Sequence, residues 1–185
     1  MNDYSKMVKE FNDIFSPDST TNLYKKLILE EFNEWFLEYS SDTYKEEHEL
    51  KELVDLIYVI YGYAYAAKLN LYVANSELQK INRQIKSGMF HSLILGAYVE
   101  WLDSKDNEWL QNLSTACIAY ANNKEWPLLE AFRRVHASNM SKLEDGKVLR
   151  RKDGKVEKGK DYKPADLKDL IPKRKKSKST ALIIM

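Results

Sequence analysis

Apolar positions in this chain recur every third or fourth residue over stretches of helical length, and runs that alternate residue by residue are weak. Proline is absent between Pro17 and Pro127 and glycine is sparse there. The pattern therefore predicts an all-α body. A first helix is expected over roughly Asp3 to Ile14, with Met7, Val8, Phe11 and Ile14 as its apolar stripe, ending before Ser16-Pro17-Asp18. A second runs from about Thr21 to Tyr39. A third, after the Ser40-Ser41-Asp42 break, runs from about Tyr44 to Leu69.

From Leu71 to Asn123 the periodicity predicts two or three further helices, interrupted near Ser87-Gly88 and between Asp103 and Asp106. Leu93, Ala97, Leu110, Leu113 and Ile118 are the expected core there. His91, Ser92 and Cys117 are too scattered for a catalytic triad, so this middle region is assigned to packing or dimerisation. A last helix starts near Trp126-Pro127, where proline suits a first turn, and runs through Val135 toward Lys142. Beyond it the composition shifts to Gly, Lys and Asp. Two turn signals, Asp145-Gly146 and Asp153-Gly154, predict a small hairpin or an ordered loop over the core. The run Lys173-Arg174-Lys175-Lys176-Ser177-Lys178 reads as a disordered, solvated tail rather than a nucleic-acid arm, and Ala181 to Met185 forms an apolar end.

Acidic residues interrupt the apolar pattern where a helix can least accommodate them. Asp55 stands in Glu52-Leu53-Val54-Asp55-Leu56-Ile57-Tyr58-Val59-Ile60-Tyr61, and no Lys or Arg falls within that stretch. A carboxylate buried there without a positive partner is expensive. A second cluster, Glu30-Glu31-Phe32-Asn33-Glu34, lies between Leu27-Ile28-Leu29 and Trp35-Phe36-Leu37. Glu31 and Glu34 are three residues apart, as are Glu52 and Asp55. Each pair projects from one face of its helix, and antiparallel packing of the two helices converges four carboxylates on one point. That set of hard oxygen donors suits Mg²⁺ or Mn²⁺.

Charge distribution sharpens the picture more than net charge does. With 29 basic and 28 acidic residues, nothing in the overall balance points to nucleic acid or an acidic surface as partner. Acidic residues dominate from Glu30 to Asp55 and basic ones from Lys142 to Lys178, so an acidic centre is expected to face a basic arm across a cleft. An anion held through metal on one side and lysines on the other needs that arrangement. One cysteine, Cys117, excludes a disulfide framework and most zinc sites, and its neighbours Ala116 and Ile118 mark it as core. The first residues lack the pattern of a signal peptide and no apolar run reaches membrane-spanning length, so a cytoplasmic protein without a membrane partner is expected.

Glu-Glu-x-x-Glu at 30–34, followed after 17 intervening residues by Glu-x-x-Asp at 52–55, resembles the metal-binding signature of the MazG-like all-α nucleoside triphosphate pyrophosphohydrolases. The segment Val135-His136-Ala137-Ser138-Asn139-Met140-Ser141-Lys142-Leu143, with Asp145-Gly146-Lys147 and Asp153 to Gly159 after it, is similar to the C-terminal part of a phage and bacterial branch. That branch is often labelled phosphoribosyl-ATP pyrophosphohydrolase-like. The resemblance covers roughly 1–69 and 126–170. It implies one domain over 1–171, a MazG-like helical bundle with a helical insertion at 70–125 and a C-terminal loop or hairpin arm, followed by the basic tail 172–185.

By that resemblance Glu31, Glu34, Glu52 and Asp55 hold one or more Mg²⁺ ions, with Mn²⁺ as the substitute, and bind a triphosphate through them. Glu30 and Glu38 add charge or position water. Glu34, with Glu31 beside it, is the candidate to accept the proton of the attacking water. Asn139 and Lys142 match the segment that contacts phosphates or base in the family. On the glycine-containing arm, Lys155, Lys158 and Tyr162 are placed to close over a nucleotide, and Lys25 or Lys26, about one turn before Glu30, to reach phosphate. The implied reaction converts a (d)NTP and water to a (d)NMP and pyrophosphate, in nucleotide-pool control, within a homodimer or homotetramer. Alternatives are phosphoribosyl-ATP or a guanosine alarmone as substrate, or a non-catalytic helical module that binds a nucleotide or a partner. His136 is expected to be a hydrogen-bonded structural residue. Tyr58, Tyr61, Tyr63 and Tyr65 are expected to be core and interface aromatics, one of them available to stack on a base.

Overall fold

A computed structural model describes residues 1–73, 75–104, 106–145 and 147–173. Those residues form seven α-helices: α1 (Asp3–Phe15), α2 (Thr21–Tyr39), α3 (Glu46–Ala66), α4 (Asn75–Gln84), α5 (Phe90–Ser104), α6 (Asn107–Asn123) and α7 (Leu128–Met140). No strand occurs among them, so the fold is all-α. The expected end of the chain from Arg174 onward lies outside the described residues. No helix among the described residues is long and apolar enough to cross a membrane.

Helix boundaries follow local chemistry. Asn2 caps α1 by accepting from the Ser5 amide, Thr20 caps α2 by accepting from Leu23, and Asp106 caps α6 by accepting from Glu108. Pro127 stands immediately before α7, where its missing amide is no loss. The predicted third helix is shorter than expected. Residues 44 and 45 belong to the connection instead, and α3 stops at Ala66, followed by the cap residue Ala67 and by Lys68 with φ of 56°.

α3 is the central helix. Leu50, Leu53, Val54, Leu56, Ile57 and Ile60 are completely buried, because α3 is packed by α2, α1, α7 and α6. The short connection folds α2 back on α3 as an antiparallel pair. Tyr24 meets Gly62, Glu31 meets Asp55 and Glu38 meets His48, in reverse order along the two helices. The region 70–125 is not peripheral. α6 packs on α3, and α5 lies against α2 through the Phe32–Tyr98 and Tyr39–His91 ring stacks, at 3.8 and 3.4 Å.

The closest approach of α2 to α3 depends on Gly62. A Cβ there would run into Cε1 of the Tyr24 ring. The ring is buried and its hydroxyl donates to Asn12 Oδ1 at 2.6 Å, so it has no room to yield. Gly62→Ala is expected to destabilise the fold by about 1–3 kcal/mol despite alanine's better helix propensity, which thermal unfolding measures.

After α7 the chain forms an arm over residues 144–162. Its described residues form a loop carrying two isolated antiparallel bridges, Glu144–Lys147 and Arg150–Val156. Asp145 and Gly154 supply the left-handed turn positions, at φ 49° and 95°. Arg150 fixes the arm to the end of α1 by donating to the Phe15 carbonyl and to Ser16 Oγ. Farther on, the Arg134 guanidinium forks onto Asp169 at 2.5 and 2.9 Å and ties the following segment to α7.

Candidate functional site

The antiparallel register of α2 on α3 brings Glu31 to Glu52 and Asp55. One carboxylate oxygen from each lies within 4.8 Å of the others, and Glu31 is buried. Glu52 Oε2 is buried without a hydrogen-bond partner. An unpartnered buried oxygen beside two further carboxylates fits a hard divalent cation. Glu34 belongs to the same acidic neighbourhood and lines the same cleft, but it is exposed and stands outside this close group. Glu52 and Asp55, also three apart, both stay in the group, so spacing alone does not decide membership; Glu34 differs in pointing an exposed side chain to the mouth of the cleft. The expected convergence of four carboxylates is therefore three at the centre and one at the rim.

Asp55 is not without a cation, contrary to the expectation from its apolar surroundings. Lys51, one residue before that stretch and four before Asp55, places Nζ 2.8 Å from Asp55 and 2.9 Å from Glu52. The i, i+4 spacing on α3 puts the pair on one face. A second ammonium comes from the arm: Lys155 Nζ lies 2.7 Å from Glu31 and 3.0 Å from Glu30. Arg151, which sequence reasoning did not single out, forks onto Glu30 at 3.2 and 3.0 Å and also binds Asp153.

Protonation follows from this crowding. Burial, reinforced by the Asp55 charge, pushes the Glu31 carboxyl up to about 7. Burial raises Glu52 as well. Glu30 goes the other way, held below the usual carboxylate range chiefly by its hydrogen bond from Arg151. Burial also lowers the Lys142 ammonium, with Asp55 and Glu31 pulling it back toward the charged form. Lys142 has no hydrogen-bond or ion-pair partner for its side chain among the described residues.

Two adjoining spaces meet at this cluster. The polar one, about 310 Å³, is lined by Glu31, Glu34, Asp55 and Lys51 from α2 and α3, and by Lys142, Arg151, Lys155, Glu157 and Lys158 from beyond α7. The second, about 70 Å³, is walled by Phe11, Leu23, Tyr24, Leu27, Tyr58 and Val59 under the Gly154–Val156 turn. Glu31, Asp55, Asn139, Lys142 and Lys155 border both. The aromatic chamber was invisible in sequence, because its wall is assembled from α1, α2 and α3 and its roof from the arm.

Other expected residues distribute around this centre. Asn139 is buried at the junction of the two spaces, and Tyr162 lines the polar one with Lys158 4.8 Å from its ring centre. Lys26 is exposed, and neither it nor Lys25 lines either space. Five residues separate Lys26 from Glu31, a rotation of about 140° that turns Lys26 away from the cleft. Glu38 accepts from the Lys45 amide, at the far end of α2. His136 takes the structural place expected of it: Nδ1 meets the Tyr58 hydroxyl at 2.9 Å and Nε2 meets Glu10 at 3.3 Å. Tyr58, Tyr61 and Tyr63 are core residues, while Tyr65 is only half-buried and donates to Asp13. A further buried carboxylate, Glu49, was missed entirely. Its oxygens receive Tyr44 and Tyr120 hydroxyls at 2.6 Å each, with His91 at 3.2 Å and Lys124 at 3.4 Å.

Comparison with known proteins finds no matching family model, and neither a curated protein nor a solved structure matches the chain.

Proposed function

We propose that this protein is a Mg²⁺-dependent nucleotide pyrophosphohydrolase, converting a (d)NTP and water to a (d)NMP and pyrophosphate in the manner of the MazG-like enzymes its motifs resemble. One observation carries the reading: Glu31 and Asp55, two members of an acidic triad whose third, Glu52, keeps a buried oxygen without a hydrogen-bond partner, line a polar cleft together with Lys142, a half-buried lysine without an ion-pair partner among the described residues. Carboxylates and lysines lining one cleft suit a polyanion that reaches the protein partly through a cation.

Glu31, Glu52 and Asp55 would hold the ion, with Glu34 at the rim. A bound divalent cation polarises phosphoryl oxygens, offsets developing charge and acidifies its water. Lys142 supplies a compact charge to a phosphate oxygen, and Lys158 a second one at the solvent side. Asn139, at the boundary with the aromatic chamber, has an amide that both donates and accepts and suits a base or sugar edge. Phe11, Tyr24 and Tyr58 offer ring surface for a base. Glu34, exposed to water and outside the close triad, is placed to accept a proton from an attacking water.

Pyrophosphate release measured across the common NTPs and dNTPs, with Mg²⁺, Mn²⁺ and EDTA, tests the reading. Metal-dependent pyrophosphate with a matching monophosphate supports it, and release of orthophosphate or of nothing overturns it for these substrates. The second reading, a non-catalytic binding module, is favoured by Lys51 and Lys155, which already neutralise the carboxylates as in a structural ion-pair network. It predicts nucleotide binding without turnover.

The pH dependence of metal binding follows from Glu31. With its carboxyl raised to about 7, a proton competes with the cation below that pH. Mn²⁺ affinity is expected to rise from pH 5 to about pH 7 and flatten above it. Calorimetry in buffers of different ionisation enthalpy should show a proton released on binding in the lower part of that range.

A further inference from the structure

We propose that Lys155 is an exchangeable internal counter-cation of the acidic cluster, which leaves Glu31 when a divalent ion binds and turns to the phosphates of the nucleotide. This rests on the metal-site reading above and adds a positioning residue to it. Lys155 and the cation compete for the same carboxylate: Nζ lies 2.7 Å from Oε1 of Glu31, a member of the close triad. Lys51 is placed differently. It reaches Glu52 and Asp55 along their own helix, is 38 % exposed, and leaves Glu52 Oε2 without a partner.

Release of Lys155 does not require the arm to detach, because the arm is held at other points. Arg151 forks onto Glu30, and Arg150 binds the Phe15 carbonyl, Ser16 Oγ and the Gly154 carbonyl. Only the four-carbon stem of Lys155 has to swing. The direction of that swing is fixed by what surrounds it. Lys155 borders both the aromatic chamber and the polar cleft, and Lys142 and Lys158 line the same cleft. An ammonium swung toward Lys142 and Lys158 adds to like charge, which an anion among them offsets, and a triphosphate bridging the cation and these lysines supplies that anion. Lys155 therefore gives up one carboxylate at the moment a phosphate becomes available, which ties metal binding and polyphosphate binding into one event.

The test uses the full chain and two affinities. Mn²⁺ binding is followed by the electron paramagnetic resonance of free Mn²⁺ in the absence of nucleotide. Binding of inorganic tripolyphosphate is then measured by calorimetry at saturating Mn²⁺. Lys155→Met is expected to bind Mn²⁺ at least about tenfold tighter than wild type, and tripolyphosphate about tenfold more weakly, since a full charge at ion-pair distance is removed from each balance. Opposite signs are diagnostic, because damage to the arm alone weakens both. Unchanged or weaker Mn²⁺ binding by the variant, while wild type binds Mn²⁺ and loses it in Glu52→Gln, overturns the proposal and leaves the metal site standing. Tighter Mn²⁺ with unchanged tripolyphosphate affinity also overturns it. Absence of Mn²⁺ binding in wild type and variant alike overturns both readings. Lys155→Gln, which keeps a donor for Glu31, carries the same measurement if methionine unfolds the arm.

Discussion

Replacing Asp55 by asparagine lowers metal-dependent pyrophosphate release by at least about 100-fold and leaves the helical fold intact. Loss of groups that merely orient metal ligands costs about 10–100-fold in affinity or activity, and loss of a ligand should cost more. Asparagine keeps the volume of Asp55 and removes its charge. Lys51 retains Glu52 at 2.9 Å, so no ammonium is stranded by the change. The variant also relieves Glu31, whose carboxyl is pushed up by burial and then by Asp55. Glu31 should therefore ionise more readily in Asp55→Asn, yet metal affinity should still fall, since one of three close donors is gone. Turnover, Mn²⁺ affinity and far-ultraviolet circular dichroism together read the outcome. Turnover within threefold of wild type would show that the triad is an ion-pair network rather than a metal site. A fall in melting temperature in Mg²⁺ buffer with no activity to lose would favour the binding module.

The helical class was legible because its signals are local. Both ends of α2 follow from the sequence, since Thr20 caps it and Ser40-Ser41-Asp42 stops it. The convergence of Glu31 with Glu52 and Asp55 was legible too, as two helices joined by a short connection pack antiparallel and spacing sets the register. What failed was whatever depends on a distant or overlooked charge. Lys51 is within local reach of Asp55 by i, i+4 spacing, but it stands one residue outside the apolar run that makes Asp55 conspicuous. The Lys155–Glu31 and Arg151–Glu30 pairs join residues more than a hundred positions apart, and no periodicity reveals such a partner. Lys26 departs from expectation for a different reason: it is close to Glu30 in sequence, but helical rotation separates it from the cleft. The acid-facing-base cleft itself was visible as a charge asymmetry along the chain.

Glu49 illustrates the same limit at its largest energetic consequence. In sequence it belongs to Glu46-Glu47-His48-Glu49, which reads as the solvated acidic first turn of a helix. In the structure it is completely buried, and its partners Tyr120, His91 and Lys124 come from the region between α4 and α7. Lys124 in turn lies 5.1 to 5.7 Å from the ring centres of Trp126, Tyr120 and Tyr44. Glu49→Ala removes the acceptor on which two tyrosine hydroxyls and a lysine converge, and leaves the Tyr120 hydroxyl buried without it beside the half-buried Lys124. Breaking a buried charged pair from one side costs about 3–5 kcal/mol, so the melting temperature of a chain this long should fall by about 10 °C. The pH dependence identifies the carboxylate as the cause. Burial raises the Glu49 carboxyl, but hydrogen bonds from His91, Tyr120 and Tyr44 outweigh it and hold the group below its ordinary 4.5. A carboxyl depressed in the folded state stabilises above its unfolded pKa, and that contribution disappears as pH falls through the folded value. The stability difference between wild type and Glu49→Gln, measured by urea unfolding, should therefore be constant near neutrality and shrink progressively below about pH 4.5. A difference independent of pH down to strong acid would mean that packing volume, not ionised Glu49, joins α3 to α6.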